Sequence, residues 1–76
     1  MKIKLLDTVV IRRDFPEYGV DASDVGVVVE VYEPDGVEVE FVTGAGKTQA
    51  LITLNVEDVR LIGDADILSV RSLDAA

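Results

Sequence analysis

Apolar and polar residues alternate with a period of two along most of the chain. Val25–Glu33 reads VGVVVEVYE, with Val27, Val29 and Val31 on one side and Val28, Glu30 and Tyr32 on the other. Side chains that alternate in this way belong to a strand with one face buried. The same period recurs in Val37, Val39 and Phe41 against Glu38 and Glu40, and again in Ala50, Ile52 and Leu54. Two shorter apolar runs, Thr8–Arg13 and Val59–Ile62, complete about five predicted strands.

The turns between these runs predict how they pair. Glu33-Pro34-Asp35-Gly36 offers proline at the second position of a type I turn and glycine where a left-handed residue closes a three-residue hairpin loop. That loop pairs Tyr32 with Glu38, Val31 with Val39, Glu30 with Glu40 and Val29 with Phe41, and predicts a positive φ at Gly36. A second hairpin through Gly44-Ala45-Gly46-Lys47 sets Thr43 opposite Thr48, Phe41 opposite Ala50 and Val39 opposite Ile52. Asn55-Val56-Glu57-Asp58 predicts one helical turn with Asn55 as its N-cap. Between the first two strands, Asp14–Asp24 carries a proline, a glycine and several carboxylates, the composition of a surface loop. Strand, long loop, three-strand meander, single turn and short strand make the layout of a small SH3-like barrel over 8–62. The remaining 63–76 is an apolar extension of the same single domain, 1–76. Its Ile67, Leu68, Val70 and Leu73 follow neither period, and they are the candidates for packing on a second copy, or adding a strand to its sheet, in a homo-oligomer; the rival outcome is a tail that folds back over the open end of its own barrel.

Composition sharpens this reading. Fourteen Val, five Ile and four Thr make 23 of the 76 residues β-branched, side chains whose restricted χ1 favours strands. Fifteen acidic residues against seven basic ones leave a net charge of −8, which disfavours a nucleic-acid partner because phosphate binding needs a basic face. The chain has no cysteine and no histidine, so thiolate or imidazole nucleophiles, their metal sites and disulfides are excluded. No apolar run has the length of a membrane span. The start, MKIKLLD, meets an aspartate too early for a signal-peptide core. The expected compartment is the cytoplasm of a microbe. A domain of this size gains little from one core, which makes self-association its available support.

Four features bear on chemistry. Gly44-Ala45-Gly46-Lys47-Thr48 resembles the end of a phosphate-binding loop. The position that loop requires to be its first glycine is Phe41, however, and a strand rather than a helix follows, so a hairpin turn is expected. Asp64 and Asp66 supply too few oxygens for a calcium cage. Glu30, Glu38 and Glu40 share the outward face of the first hairpin. Like charges opposed across strands repel, so either Arg12, Arg13, Lys47 or Arg60 offsets them or a basic partner does. Phe15, Glu17 and Tyr18 place aromatic and acidic groups on the long loop, where a peptide groove could form. No metal or cofactor is expected. The reading that follows is a non-catalytic, acidic, self-associating protein-interaction module, with Phe15, Glu17, Tyr18, Glu30, Tyr32, Glu38 and Glu40 as partner-binding candidates and no membrane partner. The alternative is a small ligand-binding or enzymatic subunit that uses surface carboxylates with Tyr18 or Tyr32.

Four consecutive blocks, Pro16-Glu17-Tyr18-Gly19, Val25 to Tyr32, Gly36 to Val42 and Gly46 to Leu51, resemble a small bacterial family of domains of unknown function. The resemblance spans roughly Leu5 to Leu61. It implies a compact β-barrel, a free-standing protein without assigned activity, and an accessory role in mobile-element or toxin-antitoxin-like settings. It places no functional role on any residue, and the extension beyond Ile62 departs from its pattern.

Overall fold

A computed structural model of the chain describes residues 2–74. Residue 1 of the predicted domain and residues 75 and 76 of the predicted extension lie outside the described residues. The fold is all-β, as the periodicity predicts: five antiparallel strands, β1 (Thr8–Ile11), β2 (Val25–Tyr32), β3 (Gly36–Val42), β4 (Thr48–Asn55) and β5 (Val59–Leu61), in one open sheet of order β4-β3-β2-β1-β5. Two 3-10 turns interrupt them, Pro16–Tyr18 in the β1–β2 loop and Val56–Asp58 before β5. No second layer is available to cover the buried face, so the sheet must wrap about its own core. All five strands contribute to that core: Val9, Ile11, Val28, Val37, Val39, Phe41, Ile52, Leu54 and Val59, joined by Phe15 and Val20 from the long loop.

β3 and β4 follow the predicted pattern. Val37, Val39, Phe41, Ile52 and Leu54 are buried, and the predicted partners Val39↔Ile52 and Phe41↔Ala50 pair. The Asn55 side chain caps the second 3-10 turn as expected, accepting from the Glu57 N–H at 2.8 Å. β2 departs from its predicted phase. Val28 is fully buried and Gly26 is buried with it, whereas Val27 and Val29 are only partly covered. The register runs Tyr32↔Gly36, Val31↔Val37 and Glu30↔Glu38, then shifts at a bulge to Val28↔Val39 and Val27↔Glu40. The extra residue reverses the side-chain phase, so Val28 and Val31, three positions apart, both reach the core.

Gly26 shows why this phase wins. A Cβ there would sit 2.5 Å from Val39 Cγ1, 2.9 Å from the Glu40 carbonyl oxygen and 2.9 Å from Phe41 Cε1. A side chain there would force the Val39 and Phe41 side chains and the Glu40 backbone to shift, and glycine inside a strand pattern often marks a close backbone approach of this kind.

The turn chemistry also exchanges places. Glu33-Pro34-Asp35 is the first hairpin loop, with a cis Glu33–Pro34 peptide. Gly36 is a strand residue without positive φ, contrary to the expectation of a left-handed closure. That closure occurs in the second hairpin: Gly46 has φ +80°, its N–H donates to the Thr43 carbonyl at 2.9 Å, and the Thr43 N–H donates to the Lys47 carbonyl at 2.8 Å. The three-residue loop Gly44-Ala45-Gly46 makes Val42, rather than Thr43, the strand partner of Thr48, across a second register shift.

Beyond β5 the chain has no regular structure as far as residue 74, but it is tethered. Asp66 pairs with Arg60 through two hydrogen bonds of 2.8 and 2.9 Å and accepts from the Gly63 N–H. Arg71 then returns to the β1–β2 loop, donating to Asp24 at 2.9 and 2.7 Å and to the Gly19 carbonyl at 2.9 Å. The extension thus lies back on its own domain.

Candidate functional site

Strand pairing assembles the first candidate surface on the outward side of β2, β3 and β4. Glu30 stands directly opposite Glu38, not opposite Glu40, which pairs with Val27 on one side and Leu51 on the other. Neighbouring hydroxyls cross the face to these carboxylates: Tyr32 Oη donates to Glu38 Oε1 at 2.8 Å and Thr48 Oγ1 donates to Glu40 Oε2 at 2.6 Å. Glu38 accepts that hydrogen bond and holds the Tyr32 phenol above its ordinary pKa; lost hydration and the charges of Glu38 and Glu30 act in the same direction. Tyr32 is therefore a donor at neutral pH.

Two of the four cations expected to offset these charges, Arg13 and Arg60, are spent elsewhere. Among the described residues, Arg13 pairs with Asp58, Arg60 with Asp66, and Arg71 with Asp24 and Asp21. Among the described residues no ion pair reaches Glu30, Glu38 or Glu40. The outward face of the first hairpin is accordingly a field of carboxylates, of which Glu38 and Glu40 each accept from one neutral hydroxyl.

The β1–β2 loop forms the second surface, and its aromatic residues divide. Phe15 is 5% exposed and belongs to the core. It is bridged to Val20 by Phe15 N–H to Val20 O and Val20 N–H to Phe15 O bonds, and the Arg13 guanidinium lies 4.0 Å above its ring. The proposal of Phe15 as a partner contact is therefore corrected: a ring spent on pinning its own loop is not offered outward. Glu17 and Tyr18 lie on the 3-10 turn that follows, which Pro16 starts and left-handed Gly19 ends. Tyr18 remains about half exposed, and its carbonyl accepts from Gln49 Nε2 of β4 at 3.5 Å.

Between this loop, the β3–β4 hairpin and the returning extension runs an open groove of about 520 Å³, with Val20, Phe41 and Val42 among its apolar lining and Asp24 and Arg71 at its polar side. Partial burial would raise the Asp24 pKa, but hydrogen bonds from Arg71 and the Asp21 N–H, with the Arg71 charge, outweigh it and the carboxyl titrates below its ordinary value. Arg71 is the residue that sequence reasoning missed. Its signal was available, because it is the only cation after Arg60.

The remaining motifs are structural. Gly46-Lys47-Thr48 is a hairpin closure whose threonine hydroxyl serves Glu40. Asp66 serves Arg60 and the Gly63 N–H, which hold its carboxyl down to about 2. Ile67, Leu68, Val70 and Leu73 are exposed, with Ile67 at 91% and Val70 at 99%, so the tether leaves their side chains outward. No helix among the described residues is long and apolar enough to cross a membrane.

With this geometry in place, the model of a domain of unknown function, DUF4926, matches residues 5–61. The chain belongs to the DUF4926 family. Comparison with curated proteins and with solved structures returns no match. The DUF4926 span contains the whole sheet and all seven partner-binding candidates, while the Arg71 tether and the four exposed apolar residues of the extension lie beyond it.

Proposed function

We propose that this DUF4926 chain is a non-catalytic interaction module that presents the outward face of β2 and β3 to a basic protein. One observation carries the reading: Glu30, Glu38 and Glu40 are held together on a strand surface while Arg13, Arg60 and Arg71 are committed to other carboxylates. A carboxylate patch without an ion pair among the described residues, on a chain of net charge −8, steers basic partners and rejects acidic ones. The strand order and the 3-10 turn between β4 and β5 agree with an SH3-like arrangement, a scaffold that by itself specifies no function, so the reading rests on the surface it presents. The reading includes an accessory role beside a basic protein encoded nearby, and self-association, for which the exposed Leu51 of β4 and the exposed apolar residues of the extension provide surface.

The test is amide chemical-shift mapping with a lysine-rich peptide and with the product of an adjacent gene. Shifts should centre on Glu30, Glu38 and Glu40, fade as salt rises past the point where screening sets in near 0.1–0.15 M, and vanish in the Glu30→Gln/Glu38→Gln/Glu40→Gln variant. Shifts confined to the β1–β2 loop, or none at low salt, would refute the assignment of this face.

A further inference from the structure

The sheet is open, and its two edges are built differently. β5 has three residues with Arg60 at its centre, the chain leaves it at once, and Asp66 folds back to bind that arginine. Short length and charge are the usual ways in which an edge is protected from pairing. β4 has neither. It runs for eight residues, Thr48–Asn55, with no charge and no proline. With Val56 it is the longest uncharged run in a chain of 29% charged residues.

The ladder gives this edge its polarity. The Val56 N–H donates to the Asp35 carbonyl at 2.8 Å, and bonded positions alternate along an antiparallel pair. The backbone groups of Leu54, Ile52 and Ala50 therefore face β3, while those of Leu51, Thr53 and Asn55 face away from the sheet. Among the described residues no other strand pairs with them.

We propose that β4 is a seam between two copies of this chain, paired antiparallel across a two-fold axis at Ile52. The proposal rests on the self-association included above and names where it occurs. Centred there, Leu51 meets Thr53 and Gln49 meets Asn55, each twice, and Ala50, Ile52 and Leu54 stay inward in both copies because opposed residues share a face. Charge selects a second copy over a basic partner. A neutral edge gives a basic protein no handle, whereas two chains of net charge −8 can approach only through surface that carries none. Glu38 and Glu40 of one copy would lie three strand spacings from those of the other, roughly 14 Å, beyond the screening length of about 8 Å at physiological salt. Blunted β5 ends the assembly at a closed dimer rather than a fibre.

Sedimentation velocity of the full chain from about 1 to 100 μM tests the seam, that range covering the affinities of modest interfaces. Two variants address the edge: Leu51→Lys adds a charge, and Thr53→Pro removes an outward N–H that β3 does not use. The expected result is a dimer that salt does not weaken, at least about tenfold weaker in both edge variants and unchanged in the extension variant Ile67→Ser/Val70→Ser. A wild-type monomer throughout the range would overturn both the seam and self-association. A dimer that survives both edge variants and disperses in the extension variant would overturn the seam alone. Should an edge variant fail to fold, hydrogen exchange of the wild type decides: protection of the Leu51, Thr53 and Asn55 amides that rises with concentration supports the seam, and protection independent of concentration overturns it.

Discussion

Replacing Gly26 with alanine tests the packing argument at the most crowded glycine in the sheet. The added methyl would lie 2.5 Å from Val39 Cγ1, 2.9 Å from Phe41 Cε1 and 2.9 Å from the Glu40 carbonyl oxygen. Val39 is fully buried and Glu40 is locked in pairs with both neighbouring strands, so neither side can withdraw without disturbing the core or the ladder. Overpacking of this kind costs about 1–3 kcal/mol, and a clash with backbone belongs at the upper end. Alanine recovers roughly 0.4–1 kcal/mol by restricting the unfolded chain, leaving a net loss of about 2 kcal/mol. Against a total of about 4–11 kcal/mol for a domain of this length, that is a large share. At about 4–8 °C per kcal/mol it lowers Tm by roughly 8–16 °C. Circular-dichroism melts and urea midpoints at a few micromolar, where association adds little, measure it. Gly44→Ala is the control, since nothing lies within 4 Å of its Cβ position and its φ is not left-handed. If Gly26→Ala melts within about 2 °C of Gly44→Ala, less than half a kcal/mol by the same conversion, the close-approach account of the β2 phase is wrong.

Two further outcomes follow from backbone and charge. Gly46 holds φ +80° in open space, so Gly46→Ala should cost about 1 kcal/mol through conformation alone; a urea midpoint equal to that of Gly44→Ala would contradict the left-handed closure. The Asp66 carboxyl titrates at about 2 when folded against an ordinary 3.8. The unfolded chain therefore takes up its proton first as pH falls, and the stabilising contribution, complete above about pH 4, is lost between 4 and 2. Urea midpoints from pH 5 to 2 should fall less steeply in Arg60→Gln than in the wild type, and equal slopes would show that the pair has no such effect.

The chain's own alternation determined the strands, their count, the inward residues of β3 and β4 and the Asn55 cap, because these follow from period two and from local capping chemistry, which act over a few residues. It did not determine the phase of β2. Val25, Val27, Val28 and Val29 are all apolar, so either parity buries valines, and only the approach of β3 to Gly26 selects one. Nor did local preference distinguish the two glycine turns, since Gly36 and Gly46 both suit a left-handed closure and strand pairing across the sheet assigns it to Gly46. The carboxylate field was legible as residues but not as a site. Its opposed pair, Glu30 with Glu38, depends on a register set by the loop Glu33-Pro34-Asp35, which pairs Tyr32 with Gly36, and the absence of ion pairs to it among the described residues depends on where Arg13, Arg60 and Arg71 come to rest, the last 47 residues from Asp24 in sequence. Short-range periodicity is written in one dimension; edges, close approaches and ion pairs between distant residues exist only once the sheet has wrapped around its core.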